Sequence, residues 1–237
     1  MGKHVLVELP IVLDTSQFEY LYELAFKKNV ILMPAMKTAY ATAYNRLLLL
    51  LKAGKIGKII SVDATCTSIR EVMNESGEYQ SIWNSICAWG PTALLPVFQI
   101  LGTDYIQSNI ISYYLDRKHD FDAFTKVDFC FENAVASIKV VRGVKSEGDL
   151  IVSGTNGYLY VPAPWWKTDY FEIRYENPLD NKRYFYQLDG EGIRYELVAF
   201  IKAIKSGKQP EYISKNVAKH ITRILSDYYH GNLREIR

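Results

Sequence analysis

Seven short runs rich in Ile, Val, Tyr and Phe follow one another through the second half of this chain. They are Ile106–Leu115, Thr125–Phe131, Val135–Val141, Asp149–Ser153, Tyr158–Val161, Tyr170–Tyr175 and Arg183–Gln187. β-Branched and aromatic residues in runs of this length fit a pleated surface. Asn133 and Asn156-Gly157 supply hairpin signals between runs. Seven strands joined by short links predict a large, mostly antiparallel sheet. Two amphipathic stretches, Ile193–Ile204 and Val217–Tyr229, come after the strands. Ser206 to Pro210 reads as a stop and turn between them, and Ser214 as an N-cap for the second. The class is therefore α+β, a sheet flanked by helices.

The first part of the chain obeys a different rule. Val5 to Glu8 is apolar on both faces, as in a buried parallel strand. Asp14-Thr15-Ser16 offers helix capping, and Phe18, Leu21, Tyr22, Leu24 and Ala25 follow at helical spacing. Val30 to Pro34 reads as the next strand, which completes a β-α-β unit. A helix over Ala39–Ala53, a strand over Ile59–Thr67 and a helix over Trp83–Leu101 come next, the last broken near Pro91 or Pro96. Glu71 to Gln80 is polar and reads as a loop. A two-stranded parallel unit leaves a strand edge uncovered. The strand at Val5 to Glu8 should therefore seek a partner, either a preceding domain or another chain.

Several function classes are excluded by composition. The formal charge is +2, which leaves no strong footprint for nucleic acid or a membrane surface. Leu47 to Leu51 is apolar, but Lys52 and Lys55 end the run far short of a membrane span. Cys66, Cys87 and Cys130 are scattered without a C-x-x-C pair, which argues against a disulfide framework or zinc and for a reducing cytoplasm. His4, His119, His220 and His230 show no metal-ligand spacing. Gly2 to Pro10 is too short and strand-like for a signal peptide. No G-x-G-x-x-G follows the first strand. Gly54 to Gly57 follows a helix and reads as its C-cap, and Gly154 to Gly157 lies between strands. No cofactor is thus expected for this chain by itself.

Four segments in order carry a family resemblance. Gly2-Lys3-His4-Val5-Leu6-Val7-Glu8-Leu9-Pro10 resembles the "GKHVLxEKP" strand end of the Gfo/Idh/MocA oxidoreductases, the glucose-fructose oxidoreductase and inositol dehydrogenase group. Lys37 to Gly57 resembles the helix after the sixth Rossmann strand of that family. Gly154 to Pro162 is similar to its "GTxGxxxxP" hairpin, and Gly190 to Ile201 to its "GxGxxxExxxFxxxI" helix. The resemblance implies an incomplete Rossmann-like segment over residues 1–57 and a whole C-terminal α/β domain over 58–237. It also implies subunit pairing through the open face of the sheet, giving a homodimer or a higher oligomer.

The resemblance fails at the proton-handling positions. Where the family carries the Lys of E-K-P, this chain has Leu9. Aligning its D-x-G-x-H-x-x-D segment on Gly90 and Gly102 places Ala88 at the first Asp, Thr92 at the His and Leu95 at the second Asp. Leu does not titrate, and a Thr hydroxyl does not titrate near neutral pH. These losses lead to the expectation of a catalytically degenerate domain kept for ligand binding or oligomerisation in sugar or polyol metabolism. One alternative is an NAD(P)-dependent sugar or polyol oxidoreductase whose nucleotide-binding half lies outside this chain, NAD(P) then being bound only if that half is supplied. A second is a module of a larger enzyme, such as a nucleotidyltransferase for sugar or polyol phosphates.

Ligand candidates are Lys37, Arg70, Thr92, Trp165, Trp166 and Tyr195. Lys37 would offer a cation to a phosphate or carboxylate, or else be a surface lysine at a strand end. Trp165 and Trp166 would stack on a sugar ring, or else pack as a loop cluster. Arg70 leaves the Ile59–Thr67 strand towards the expected cleft, where a solvated pair with Glu71 is the alternative. Thr92 would hydrogen-bond a ligand or cap a helix. Tyr195 and Glu196 lie on a helix that the resemblance places near the cleft. A small carbohydrate-like ligand fits this set.

Overall fold

The computed structural model describes residues 2–69, 76–77, 84–187, 192–209 and 212–237. Val5–Glu8 (β1) and Leu32–Ala35 (β2) pair in parallel, with Val5 opposite Leu32 and Glu8 opposite Ala35. The connection is Thr15–Lys27 (α1). Its N-cap is Asp14, whose carboxylate accepts from the backbone N–H groups of Ser16 and Gln17. Phe18 and Ala25 are its buried residues.

One helix from Ala39 is predicted by spacing, but the structure has two. A single turn, Lys37–Tyr40 (α2), is followed by Thr42–Lys52 (α3). Ala41 between them is extended. The Asn45 side-chain amide holds this break by donating to the carbonyls of Ala39 and Ala41 at 3.0 and 2.9 Å. An Asn side chain that satisfies carbonyls locally competes with helix continuation.

Among the described residues, nine strands form one large sheet. They are Ile59–Thr67 (β3), Gln107–Asp116 (β4), Phe121–Cys130 (β5), Val135–Val141 (β6), Leu150–Gly154 (β7), Tyr158–Val161 (β8), Tyr170–Arg174 (β9), Lys182–Phe185 (β10) and Arg234–Ile236 (β11). Their order is β10-β9-β8-β7-β3-β6-β5-β4-β11. The sheet is mixed: six of its eight joints are antiparallel, in line with the expected strand pairing, and two are parallel. β3 pairs in parallel with β6, and β4 with β11. The reason lies in chain order: β3 is the first of these strands yet sits at the sheet's centre. The chain leaves it through a helix and two further strands before β6 returns alongside.

Ser85–Leu101 (α4) packs on β3, β5 and β6, and Lys215–Tyr229 (α6) packs on α4. Pro91 and Pro96 lie inside α4 without ending it, contrary to the expected break. Each proline removes one intrahelical hydrogen bond. Burial of Ile86, Leu94, Leu95, Val97 and Phe98 against the sheet offsets that loss. Ile193–Ser206 (α5) packs on α2.

Register divides the sheet into two faces. Phe129, Ala136, Val62, Val152, Leu159 and Ile173 stand side by side across six strands, and all are buried. One residue along, Asp128, Ser137, Asp63, Ile151, Tyr160 and Glu172 form a row on the opposite face. The hairpin after β7 ties the N-terminal segment to the sheet. Asn156 donates its backbone N–H to the Ile56 carbonyl at 2.9 Å, and the Thr155 N–H reaches the Lys58 carbonyl at 3.0 Å. One continuous hydrophobic cluster runs from Phe18 and Met33 through Leu47 and Val62 to Ile173 and Tyr228. Among the described residues, no helix is long and apolar enough to cross a membrane.

Candidate functional site at the ends of the parallel strands

Because β1 and β2 are parallel, both end on the same edge, with Glu8 beside Ala35. Crevices at the carboxyl ends of parallel strands are where open α/β sheets bind ligands. Met36 and Lys37 follow Ala35 at once, so a carboxylate and an ammonium leave adjacent strand ends. The third member comes from α5. Gly192, at φ +89°, turns the chain into that helix with its Cα pressed against Lys37. A Cβ there would stand 3.0 Å from the Lys37 carbonyl oxygen. One turn further on, Glu196 is buried, 5% exposed, and accepts from the Met36 backbone N–H. Its Oε2 has no hydrogen-bond partner among the described residues.

A buried carboxyl with one oxygen unpaired pays a large desolvation cost when ionised. Burial, together with the nearby charge of Glu8, pushes Glu196 up to about 7, against the opposing Met36 hydrogen bond and Lys37 charge. Glu8 is also raised by partial burial of its carboxyl, with Lys37 opposing. Tyr40 is raised by burial and by Glu196, and its hydroxyl donates to the Pro34 carbonyl at 2.9 Å. Two carboxyls and one ammonium in this arrangement hold one exchangeable proton near neutral pH. That is the requirement for general acid–base work.

An aromatic pair stands against α2. Thr38 donates its hydroxyl to the Trp166 carbonyl at 3.1 Å. The Trp166 ring lies 4.8 Å from that of Trp89, whose indole N–H reaches the Ser68 hydroxyl at 3.1 Å. The structure thus brings together Lys37 and Trp166 from the sequence candidates. Tyr195, half-buried, sits beside Glu196 on α5. Trp165 is fully buried, and its indole N–H is spent on the Thr65 carbonyl at 3.0 Å. It belongs to the core and offers no face to a ligand. Thr92 lies one turn after Trp89 on α4 and is half-buried. Leu95 is fully buried, and Leu9 packs partly buried against the core. Arg70 and most of residues 71–80, where the sequence reading expected a loop, fall outside the described residues. Sequence reasoning passed over Glu8 and Trp89 and read Glu196 only as a helix-face contact. The available signal was a Glu at an apolar helix position.

The β1-to-α1 turn is not built as a pyrophosphate cradle. The turn from β1 to α1 contains no glycine, and the N-terminal N–H groups of α1 are taken by the Asp14 carboxylate. That carboxyl is held below its ordinary value by the Ser16 hydroxyl and the Gln17 N–H. Among the described residues, no group of three His, Cys, Asp or Glu side chains could hold a metal ion.

No family model and no curated protein matches the sequence. Solved structures do match. KijD10, a 3-ketoreductase from Actinomadura kijaniata solved with NADP and TDP-benzene, superposes with a TM-score of 0.84 over 99% of this chain and 72% of its own, at 18% identity. The fold is that of these oxidoreductases. A probable oxidoreductase, yhhX, matches with a TM-score of 0.74, covering 97% of this chain and 72% of its own at 18% identity. An oxidoreductase from Bacillus cereus gives 0.75, with 97% and 71% covered at 17% identity.

Proposed function

We propose that this chain supplies the substrate-binding and proton-handling side of an NAD(P)-dependent oxidoreductase of the Gfo/Idh/MocA type, acting on a sugar or polyol. The nucleotide would be held by a further domain or partner chain docked along the free edge of β1. The observation that carries this reading is the Glu8–Lys37–Glu196 cluster at the ends of parallel strands in an oxidoreductase fold. Reduction of a carbonyl needs a proton for its oxygen, and oxidation of a hydroxyl must lose one. A carboxyl poised near neutrality serves either direction. Glu8, exposed at the strand end, is the group placed to meet substrate. Glu196, buried behind it, is a positioning residue that keeps a proton in the pair. Trp166 and Trp89 offer ring faces of the kind that pack on sugars.

This reading is favoured over a purely ligand-binding domain because titratable groups, Glu8, Lys37 and Glu196, stand at the cleft although the family's proton-handling positions are lost. The test is NADPH oxidation by the chain together with its nucleotide-binding unit, over a panel of keto sugars. Turnover should show a pH limb near 7. Glu8→Gln should lower kcat by about 100-fold, the scale of one general acid–base group. Absence of turnover with every sugar, together with no sugar-induced change in the carboxyl signals of Glu8 and Glu196, would return the chain to the non-catalytic reading.

A further inference from the structure

A second concavity opens against α5. It is a groove of about 1030 Å³ between α3 and α5, in the size range of small-molecule sites. Among the described residues its charge is one-sided. Arg46 from α3 and Lys202, Lys205 and Lys208 from α5 and its exit line it, and no described carboxylate does. None of these four cations makes an ion pair with a described residue. Lys202 and Lys205 stand about 4.5 Å apart along the helix axis, close enough to contact two linked phosphoryl groups at once. Unneutralised charge of one sign in a concave site focuses its field on ligands of the other.

Two further features sharpen the ligand chemistry. The groove is walled by four phenol rings, those of Tyr40, Tyr186, Tyr195 and Tyr212. Tyr40 and Tyr212 pack with ring centroids 4.8 Å apart. The first turn of α3 opens into the groove at Thr42, and its N-cap, Ala41, leaves the backbone N–H groups without a side-chain cap. Free N–H groups at a helix start favour an anion and add to the lysines.

We propose that this groove binds the diphosphate ester of a ring compound, with the phosphoryl oxygens held by Arg46, Lys202 and Lys205 and the ring laid against the tyrosines. The proposal does not rest on the redox reading, because none of the four cations belongs to the Glu8–Lys37–Glu196 cluster. The site adjoins that cluster through Tyr40 and Tyr195. A ligand held here therefore lies next to the proton-handling groups.

Calorimetric titration with ADP, and separately with inorganic pyrophosphate, tests it. ADP should bind saturably, more tightly than pyrophosphate because of the ring, and its affinity should fall with added salt. Lys202 and Lys205 lie on an exposed helix face, so Lys202→Glu and Lys205→Glu should leave the fold intact by circular dichroism. Each should weaken ADP binding at least about tenfold, the scale of one charge-assisted hydrogen bond. Glu196→Gln should leave ADP binding unchanged, which separates this site from the cluster. Three results overturn the proposal: no saturable ADP binding at millimolar concentration, binding that both charge reversals leave unaltered, or tighter capture of polyglutamate than of ADP.

Discussion

Glu196→Gln gives the most direct check on the carboxyl cluster, because it needs no substrate. In the unfolded chain this carboxyl titrates at its ordinary 4.5, and in the folded chain at about 7. The folded state therefore binds more protons than the unfolded state between those values. Stability from this group is fully present below pH 4.5 and is lost as pH rises through 7. At about 1.4 kcal/mol for each tenfold change in the equilibrium, the loss amounts to about 3 kcal/mol. Glutamine keeps an acceptor for the Met36 N–H and never ionises. Urea denaturation at intervals from pH 4 to 8.5 should show wild type weakening with rising pH, while the variant stays flat above pH 6. At pH 8 the variant should be the more stable by up to about 3 kcal/mol. Glu8→Gln should move the wild-type limb to lower pH by removing the repelling charge. Parallel curves for wild type and Glu196→Gln above pH 6 would refute the reasoning, since the buried carboxyl would then carry no displaced proton.

Two predictions concern the scaffold. Asp122 is fully buried beneath α4, where burial raises its carboxyl to about 6 despite hydrogen bonds from the Thr125 hydroxyl and the Ile86 N–H. Asp122→Asn should gain up to about 3 kcal/mol above pH 6 and nothing near pH 3.5, read by the same denaturation series. Gly154→Ala would place a Cβ 2.2 Å from the Ile56 carbonyl oxygen. It should lose at least about 2 kcal/mol, whereas Gly54→Ala, strained at φ +69° with no atom within 4 Å, should lose about 1 kcal/mol in thermal melts.

Period and turn chemistry made most of the sheet legible. The strands Val135–Val141 and Tyr158–Val161 were readable to the residue, because β-branched and aromatic runs were bounded by clear turns. β11 was not, since Arg234–Ile236 is three exposed residues whose strand character comes wholly from pairing with β4. Nor could strand order be read. Alternation of apolar and polar residues tells which face a side chain takes and is silent on which strand lies beside which. Hence the parallel joints of β3 with β6 and β4 with β11 emerged only in the fold. The prolines of α4 show the opposite failure, a true local signal overruled by burial.

The cluster itself was hidden for a reason that bears on how lost positions should be read. Motif comparison examines positions one at a time, and at Leu9, Thr92 and Leu95 it finds groups that cannot move a proton. Glu8 precedes Leu9 directly, yet nothing local marks it as special. Its setting depends on β1 ending level with β2, on Lys37 following β2, and on α5 arriving from 188 residues further along the chain. Gly192 permits that arrival, because a side chain there would collide with the Lys37 carbonyl. The buried Glu196 then alters the electrostatics of a strand end that it never neighbours in sequence. Proton handling is a property of charges and solvent gathered at a point, and three substitutions remove it only if nothing else has been gathered there. In this fold a carboxyl pair and a lysine have been.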